Sequence, residues 1–233
     1  MTGRRPAFLF DLDGVLVDTA PLHFAAWCAV TRRHLGVQLP AQLEQALRGL
    51  SRADSLRRIL AHCGRSLAPQ RFAAMLTQKN ALYRRMIADL NADALLPGAD
   101  RLLTELAAAG HPLALVSASR NAPTILARLG IAGRFALCVD PAQLGQGKPA
   151  PDIFLAAATG LGVMPRDCIA FEDAPAGIAG IKAAGMFAVG VGPEAGARAD
   201  LAIADLAACD PKVVIALWRK WRARADSPPP RRS

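Results

Sequence analysis

A chain of 233 residues with 52% apolar and 20% charged residues can bury a substantial core, which excludes a disordered polymer of low hydrophobicity and high net charge. Its net charge is +9, but residues 212–233 hold seven Lys/Arg against Asp226 alone, so six of the nine charges sit at that end. No uninterrupted apolar run is long enough to cross a bilayer, and Met1-Thr2-Gly3-Arg4-Arg5-Pro6 leads into a strand pattern instead of a signal-peptide apolar region, which predicts a cytoplasmic protein that uses no membrane.

The first apolar run, residues 7–10, is a predicted strand that ends in Asp11-Leu12-Asp13-Gly14. Residues 16–91 then show helical periodicity and no convincing strand: Leu22, Ala25, Ala26, Ala29 and Val30 share one face, and Leu56, Ile59 and Leu60 another. Past the turn at Pro97-Gly98, strand and helix patterns alternate. The strands are 112–116, 168–171, 188–191 and, weakly, 201–203. The helices, 102–109, 124–129, 152–161 and 176–184, each run into a glycine, at Gly110, Gly130, Gly162 and Gly185, as helix C-termini prefer. This alternation predicts an α/β fold, with a parallel sheet covered by helices in a core of residues 1–15 and 92–233. Residues 16–91 form a helical insert, with hinges expected near 15–18 and 92–97. The five cysteines, Cys28, Cys63, Cys138, Cys168 and Cys209, are scattered without metal-ligand spacing and are expected to be reduced thiols.

Chemistry concentrates at the ends of the apolar runs. Asp11 and Asp13 stand just past the first strand, where ligands bind in open α/β sheets. Asp11 can attack phosphorus and form an acyl phosphate, and Asp13 can protonate the leaving oxygen and later deprotonate the acceptor. Two carboxylates beside a phosphate would repel it, so the site needs a cation, and oxygen ligands favour Mg²⁺. Glu172-Asp173, again at the end of an apolar run, meets that need, although alone the pair also suits a helix N-terminus before Pro175. Ser117-Ala118-Ser119-Arg120-Asn121 supplies hydroxyls, backbone N–H groups and a cation for phosphate, or an ordinary helix cap. Lys148, in Gly147-Lys148-Pro149-Ala150-Pro151-Asp152, can neutralise a transferring phosphoryl group, whereas a lone lysine is usually solvated.

These four pieces in this order resemble the haloacid dehalogenase (HAD) superfamily. Within it, 18–27 and 47–56, together with Lys79-Asn80 and the 117–121 and 148–154 stretches, resemble the β-phosphoglucomutase family over nearly the whole chain. The resemblance implies a Rossmann-like core beneath a movable helical cap, and interconversion of β-D-glucose 1-phosphate and β-D-glucose 6-phosphate through β-D-glucose 1,6-bisphosphate. It implies Asp11 as nucleophile and Asp13 as acid and base. Mg²⁺ would be held by Asp11, the Asp13 backbone carbonyl, Glu172 and Asp173. Ser117 and Lys148 would hold the transferring phosphoryl group and Arg52 the distal phosphate, with Asn121 a further phosphate-binding residue. Thr19, His23, Trp27, Gly49, Leu50, Ser51, Arg52, Lys79, Ala118, Ser119, Arg120 and Asn121 would contact or shape the substrate. Trp27 as packing, His23 as a hinge hydrogen-bonder and Lys79 as a surface charge are the plainer alternatives.

The expected partners are small sugar phosphates, with no nucleic acid, and the chain is expected to act as a monomer. A sugar-phosphate phosphatase on the same fold is the nearest alternative. A binder of anionic polymers through the basic end is the remote one; residues 212–233 are otherwise expected to be a solvated helix end and frayed tail. Three departures from the family stand out: Arg120 where lysine is common, a glycine-rich approach to Lys148 at Leu144-Gly145-Gln146-Gly147, and a more basic tail beyond Trp221.

Overall fold

The computed structural model describes residues 5–195 and 198–225; the tail expected for 226–233 lies outside them. Among the described residues six parallel strands form one sheet: β1 (Ala7–Phe10), β2 (Leu113–Leu115), β3 (Leu137–Cys138), β4 (Cys168–Glu172), β5 (Phe187–Val191) and β6 (Leu201–Ile203). Their order is β3-β2-β1-β4-β5-β6. The chain thus builds outward from β1 on one side, returns, and builds outward on the other, which puts the topological switch point at the carboxyl end of β1. Register completes the placement, because Phe10 pairs with both Leu115 and Phe171. The residues that follow them, around Asp11, Ser117 and Glu172, therefore emerge side by side.

Side-chain alternation sorts the sheet into two unlike faces. Phe8, Phe10, Leu113, Leu115, Phe171 and Val189 pack with α5 (Ala99–Ala108), α6 (Ala122–Arg128) and α9 (Pro211–Ala225). Ala7, Leu9, Ala114, Ala170 and Ala188 face α7 (Asp152–Gly160) and α8 (Pro175–Ala183). Small side chains on the second face let its helices approach closely, and a Cβ at Gly180 would stand 2.8 Å from the Phe154 ring. The two-residue β3 has no sequence signature of its own, being too short for a period-2 pattern.

Between β1 and α5 the chain makes four helices and, among the described residues, no strand: α1 (Ala20–Leu35), α2 (Leu43–Leu47), α3 (Arg52–His62) and α4 (Pro69–Met86). They enclose a third apolar cluster around Trp27, Leu56, Ile59 and Met75. The face of α1 differs from the expected one: Ala26, Trp27, Val30 and Thr31 are buried while Ala25 and Ala29 are exposed. Trp27, the largest apolar side chain of the helix, lies in that cluster, and counting apolar positions equally does not weigh its size. Ala26 and Tyr83 join the core cluster instead, so the roots of α1 and α4 are anchored below. The two connecting segments lie side by side, with Val17 bridged to Leu95 and the Leu96 N–H donating to the Leu16 carbonyl at 2.9 Å.

The basic C-terminal end is more than a solvated helix. Trp218 is buried and its indole N–H donates to the Arg166 carbonyl at 3.0 Å. Arg222 Nε lies 3.0 Å from the buried Asp167 carboxylate, close enough for an ion pair though not aligned as a hydrogen bond. The cysteines are free, and burial pushes the Cys168 and Cys209 thiols up to about 12 and about 11, so they stay protonated. Among the described residues, no helix is long and apolar enough to cross a membrane.

Candidate active site

At the switch point Lys148 is the hub. Its Nζ donates to Asp11 Oδ1 at 2.8 Å and to Glu172 Oε2 at 2.7 Å, and all three side chains are buried. Burial disfavours the ammonium, but the two carboxylates outweigh it and hold the Lys148 pKa above the usual lysine range. Two carboxylates share this one ammonium, so the triad is net negative in a dry setting. Burial, reinforced by Asp11, accordingly pushes the Glu172 carboxyl well up against the opposing pull of Lys148.

Asp173 completes the acidic group: Asp11, Glu172 and Asp173 offer carboxylate oxygens within 4.8 Å of one another. Burial and then Asp11 raise Asp173 to about 6, opposed by a hydrogen bond from Arg48. A compact set of hard oxygen donors with excess negative charge fits Mg²⁺. Two glycines make the set possible. A Cβ at Gly14, whose φ is +81°, would stand 2.1 Å from Asp173 Oδ2, and one at Gly177 would stand 2.0 Å from Glu172 Cδ.

Asp13 points elsewhere, toward the helical insert. Its Oδ1 accepts from the Thr19 hydroxyl, which in turn lies 2.9 Å from the Tyr83 hydroxyl, and its Oδ2 is 4.0 Å from His23 Nε2. Burial, and after it the charge of Asp11, pushes the Asp13 carboxyl up to about 7, a value suited to giving and taking a proton near neutrality. His23 is held neutral, its pKa pushed well down by burial and then by Lys79 and Arg52. Its Nδ1 lies 2.5 Å from Lys79 Nζ, which also sits 4.5 Å from the Tyr83 ring centre and 5.4 Å from that of Trp27. Lys79 itself drops to about 7, through burial first and the nearby Arg52 second.

Arg52 is the first residue of α3, and Ser51 is that helix's N-cap, accepting from the Asp54 N–H at 3.1 Å. The charged neighbour that most affects Arg52 is Arg120, a like charge; burial and then Arg120 lower its pKa. One guanidinium from the insert and one from the core thus border the same cavity and disfavour each other's charge.

Of the residues singled out from sequence, all but Thr19, Asn121 and Glu172 border a single cavity of about 650 Å³ between insert and core. It takes in Gly49, Leu50 and Ser51 from the insert and Ser117, Ala118 and Ser119 from the core. Ser117 is buried, its hydroxyl accepting from the Ser119 N–H at 3.1 Å. Asn121 spends its side-chain amide on Asn80 of α4, at 3.0 Å, and so ties core to insert. Sequence reasoning missed Arg48, Tyr83, Gly14 and Gly177. For Tyr83 a signal exists, its i+4 spacing from Lys79 on α4; the two glycines carry none until Asp173 and Glu172 are placed against them.

Residues 6–185 match the model of the haloacid dehalogenase-like hydrolase family. A β-phosphoglucomutase of Bacillus subtilis (strain 168) is 42% identical over 230 residues, spanning 95% of this chain and 99% of that one. Hexitol phosphatase A of Escherichia coli (strain K12) is 38% identical over 190 residues, spanning 81% of this chain and 83% of that one. Among solved structures, a β-phosphoglucomutase from Clostridium difficile superposes with a TM-score of 0.91 at 35% identity, covering 95% of this chain and all of that one.

Proposed function

The chain belongs to the haloacid dehalogenase-like hydrolase family, and on that premise we propose that it interconverts β-D-glucose 1-phosphate and β-D-glucose 6-phosphate by way of β-D-glucose 1,6-bisphosphate and a phosphorylated Asp11. A carboxylate oxygen of Asp11 attacks phosphorus as the bond to the sugar oxygen breaks, and Asp13 gives that oxygen its proton. In the reverse transfer Asp13 takes the proton from the accepting hydroxyl while the phosphoryl group leaves Asp11. Mg²⁺, held by Asp11, Glu172, Asp173 and the Asp13 carbonyl, would offset negative charge on the transferring phosphoryl group. Lys148 and Ser117 hold that group's oxygens.

The observation that carries the reading is the make-up of the cavity: Asp11, Asp13, Asp173 and Lys148 border it from the core, and three further cations, Arg52 and Lys79 from the insert and Arg120 from the core, border it too. A bisphosphate has two anions to place, so one engages Asp11 while the other pairs with Arg52 and Arg120, with Asn121 alongside. His23, Trp27 and Lys79, with Gly49, Leu50, Ser51 and Ser119, shape the sugar space. Residues 16–91 act as a cap on the paired segments around Val17 and Leu95, and closure shields the aspartyl phosphate from water. Both anchors come from one chain, so a monomer suffices.

A phosphatase on the same fold is the weaker reading, since a mono-phosphate substrate gives the arginine pair nothing to hold. Binding of anionic polymers is weaker still, because Arg222 of the basic end is engaged with Asp167. The test is incubation with β-D-glucose 1-phosphate, Mg²⁺ and a trace of the bisphosphate. Glucose 6-phosphate as the main product supports the mutase; free phosphate as the main product returns the phosphatase.

A further inference from the structure

Arg48, the residue that ends α2, reaches from the insert into the acidic group of the core. Its Nη1 donates to Asp173 Oδ2 at 3.2 Å, while its Nη2 stands 3.6 Å from Glu44 Oε1 and 3.9 Å from Asp18 Oδ1. Asp173 Oδ2 is the same atom for which Gly14 leaves room, so the carboxylate is clasped between a core glycine and an insert arginine. Arg48 also borders the cavity that contains Asp11. Nothing in the chemistry of phosphoryl transfer requires a guanidinium here.

We propose that Arg48 is a positioning residue through which the helical insert sets the affinity of the carboxylate site for Mg²⁺. The inference rests on the reading of Asp11, Glu172 and Asp173 as metal ligands. A fixed positive charge in contact with one ligand repels a divalent cation and competes for that ligand's electron pairs. By linkage the opposition is mutual: whatever factor Arg48 subtracts from Mg²⁺ binding, Mg²⁺ subtracts from the Arg48–Asp173 contact. The contact joins insert to core, so metal binding loosens one of the ties that hold the insert down and leaves the guanidinium to the cavity.

Isothermal titration of Mg²⁺ into the parent, Arg48→Gln and Arg48→Lys, in phosphate-free buffer without substrate, tests this. Arg48→Gln removes the charge and is expected to tighten Mg²⁺ binding by about three- to tenfold at low salt, with the gain shrinking as ionic strength rises. Arg48→Lys keeps the charge and is expected to stay within about twofold of the parent. A general structural defect would not tighten binding. Equal or weaker Mg²⁺ affinity in Arg48→Gln overturns the proposal, as does tightening of the same size in Arg48→Lys. A parent that binds no Mg²⁺ overturns the metal-site reading instead.

Discussion

Lys148 on the core side of the cavity and Lys79 on the insert side are both almost fully buried, at 3% and 1% exposure, and burial works against both ammonium groups. Their neighbours decide the outcome. Lys148 touches two carboxylates and its pKa rises; Lys79 is pushed down by burial and by Arg52 against the opposing pull of Asp13, and falls to about 7. The first cation completes a group that the chain itself supplies. The second belongs to a cluster of cations that the fold leaves short of negative charge, and an anion brought by the substrate balances it. One side of the cavity is built to react with a phosphoryl group and the other to hold one.

Breaking the reactive side gives the largest effects. Asp11→Asn is expected to abolish turnover and phosphorylation by acetyl phosphate, because an amide does not attack phosphorus. An active variant removes Asp11 from the mechanism. Asp13→Asn is expected to lower kcat by roughly 10² to 10⁴-fold, as for loss of a general acid and base, with steady-state kinetics as the check. On the holding side Arg52→Ala is expected to cost a charge-assisted hydrogen bond, about 1.5 to 3 kcal/mol, so mutase kcat/KM falls by about 10 to 100-fold. Phosphorylation of Asp11 by acetyl phosphate, which has no distal phosphate, is expected to be affected far less.

A smaller effect concerns pH. The folded protein raises Asp173 from 3.8 to about 6 and Asp13 from 3.8 to about 7, so it binds these protons more tightly than the unfolded chain does. Their contribution to stability is full below the unfolded value of 3.8 and is lost as pH rises through about 6 to 7. Mg²⁺ requires the deprotonated Asp173. The rise in Tm on adding Mg²⁺ is therefore expected to be larger at about pH 7.5 than at about pH 5.5, and scanning calorimetry at the two values decides it. The smallest effect on catalysis lies far from the cavity: Arg222→Ala removes a partly exposed ion pair and is expected to lower stability by about 1 kcal/mol, read by urea unfolding, with kcat unchanged.

The core was legible because each element carries its own signal. Apolar runs at 7–10 and 168–171 end in acids, and helices at 102–109 and 176–184 end in glycine. Such patterns depend on neighbours in the chain. What stayed hidden depends on neighbours in space. β3 is held by its pairing with β2 and not by its own two residues. Arg48 carries no sign in the sequence of the Asp173 that β4 brings to it, and Arg222 reads as a solvated charge until Asp167 is placed beneath α9. Asn121 also donates one amide N–H to Asn80 of the insert, a tie that only the fold brings about. The convergence of Arg52 and Arg120 on one cavity, two like charges from distant parts of the chain, has no local trace at all.

That convergence is where the account is most exposed. The decisive measurement is the ratio of free phosphate to glucose 6-phosphate formed from β-D-glucose 1,6-bisphosphate and β-D-glucose 1-phosphate with Mg²⁺, by the parent and by Arg52→Ala. With the distal phosphate unanchored the insert closes less often and water reaches the aspartyl phosphate, so the parent is expected to yield mainly glucose 6-phosphate and the variant a several-fold larger share of free phosphate. An Arg52→Ala enzyme with the parent's efficiency and the parent's product ratio would contradict the assignment of the arginine pair as the second phosphate anchor, and with it the case for transfer over hydrolysis.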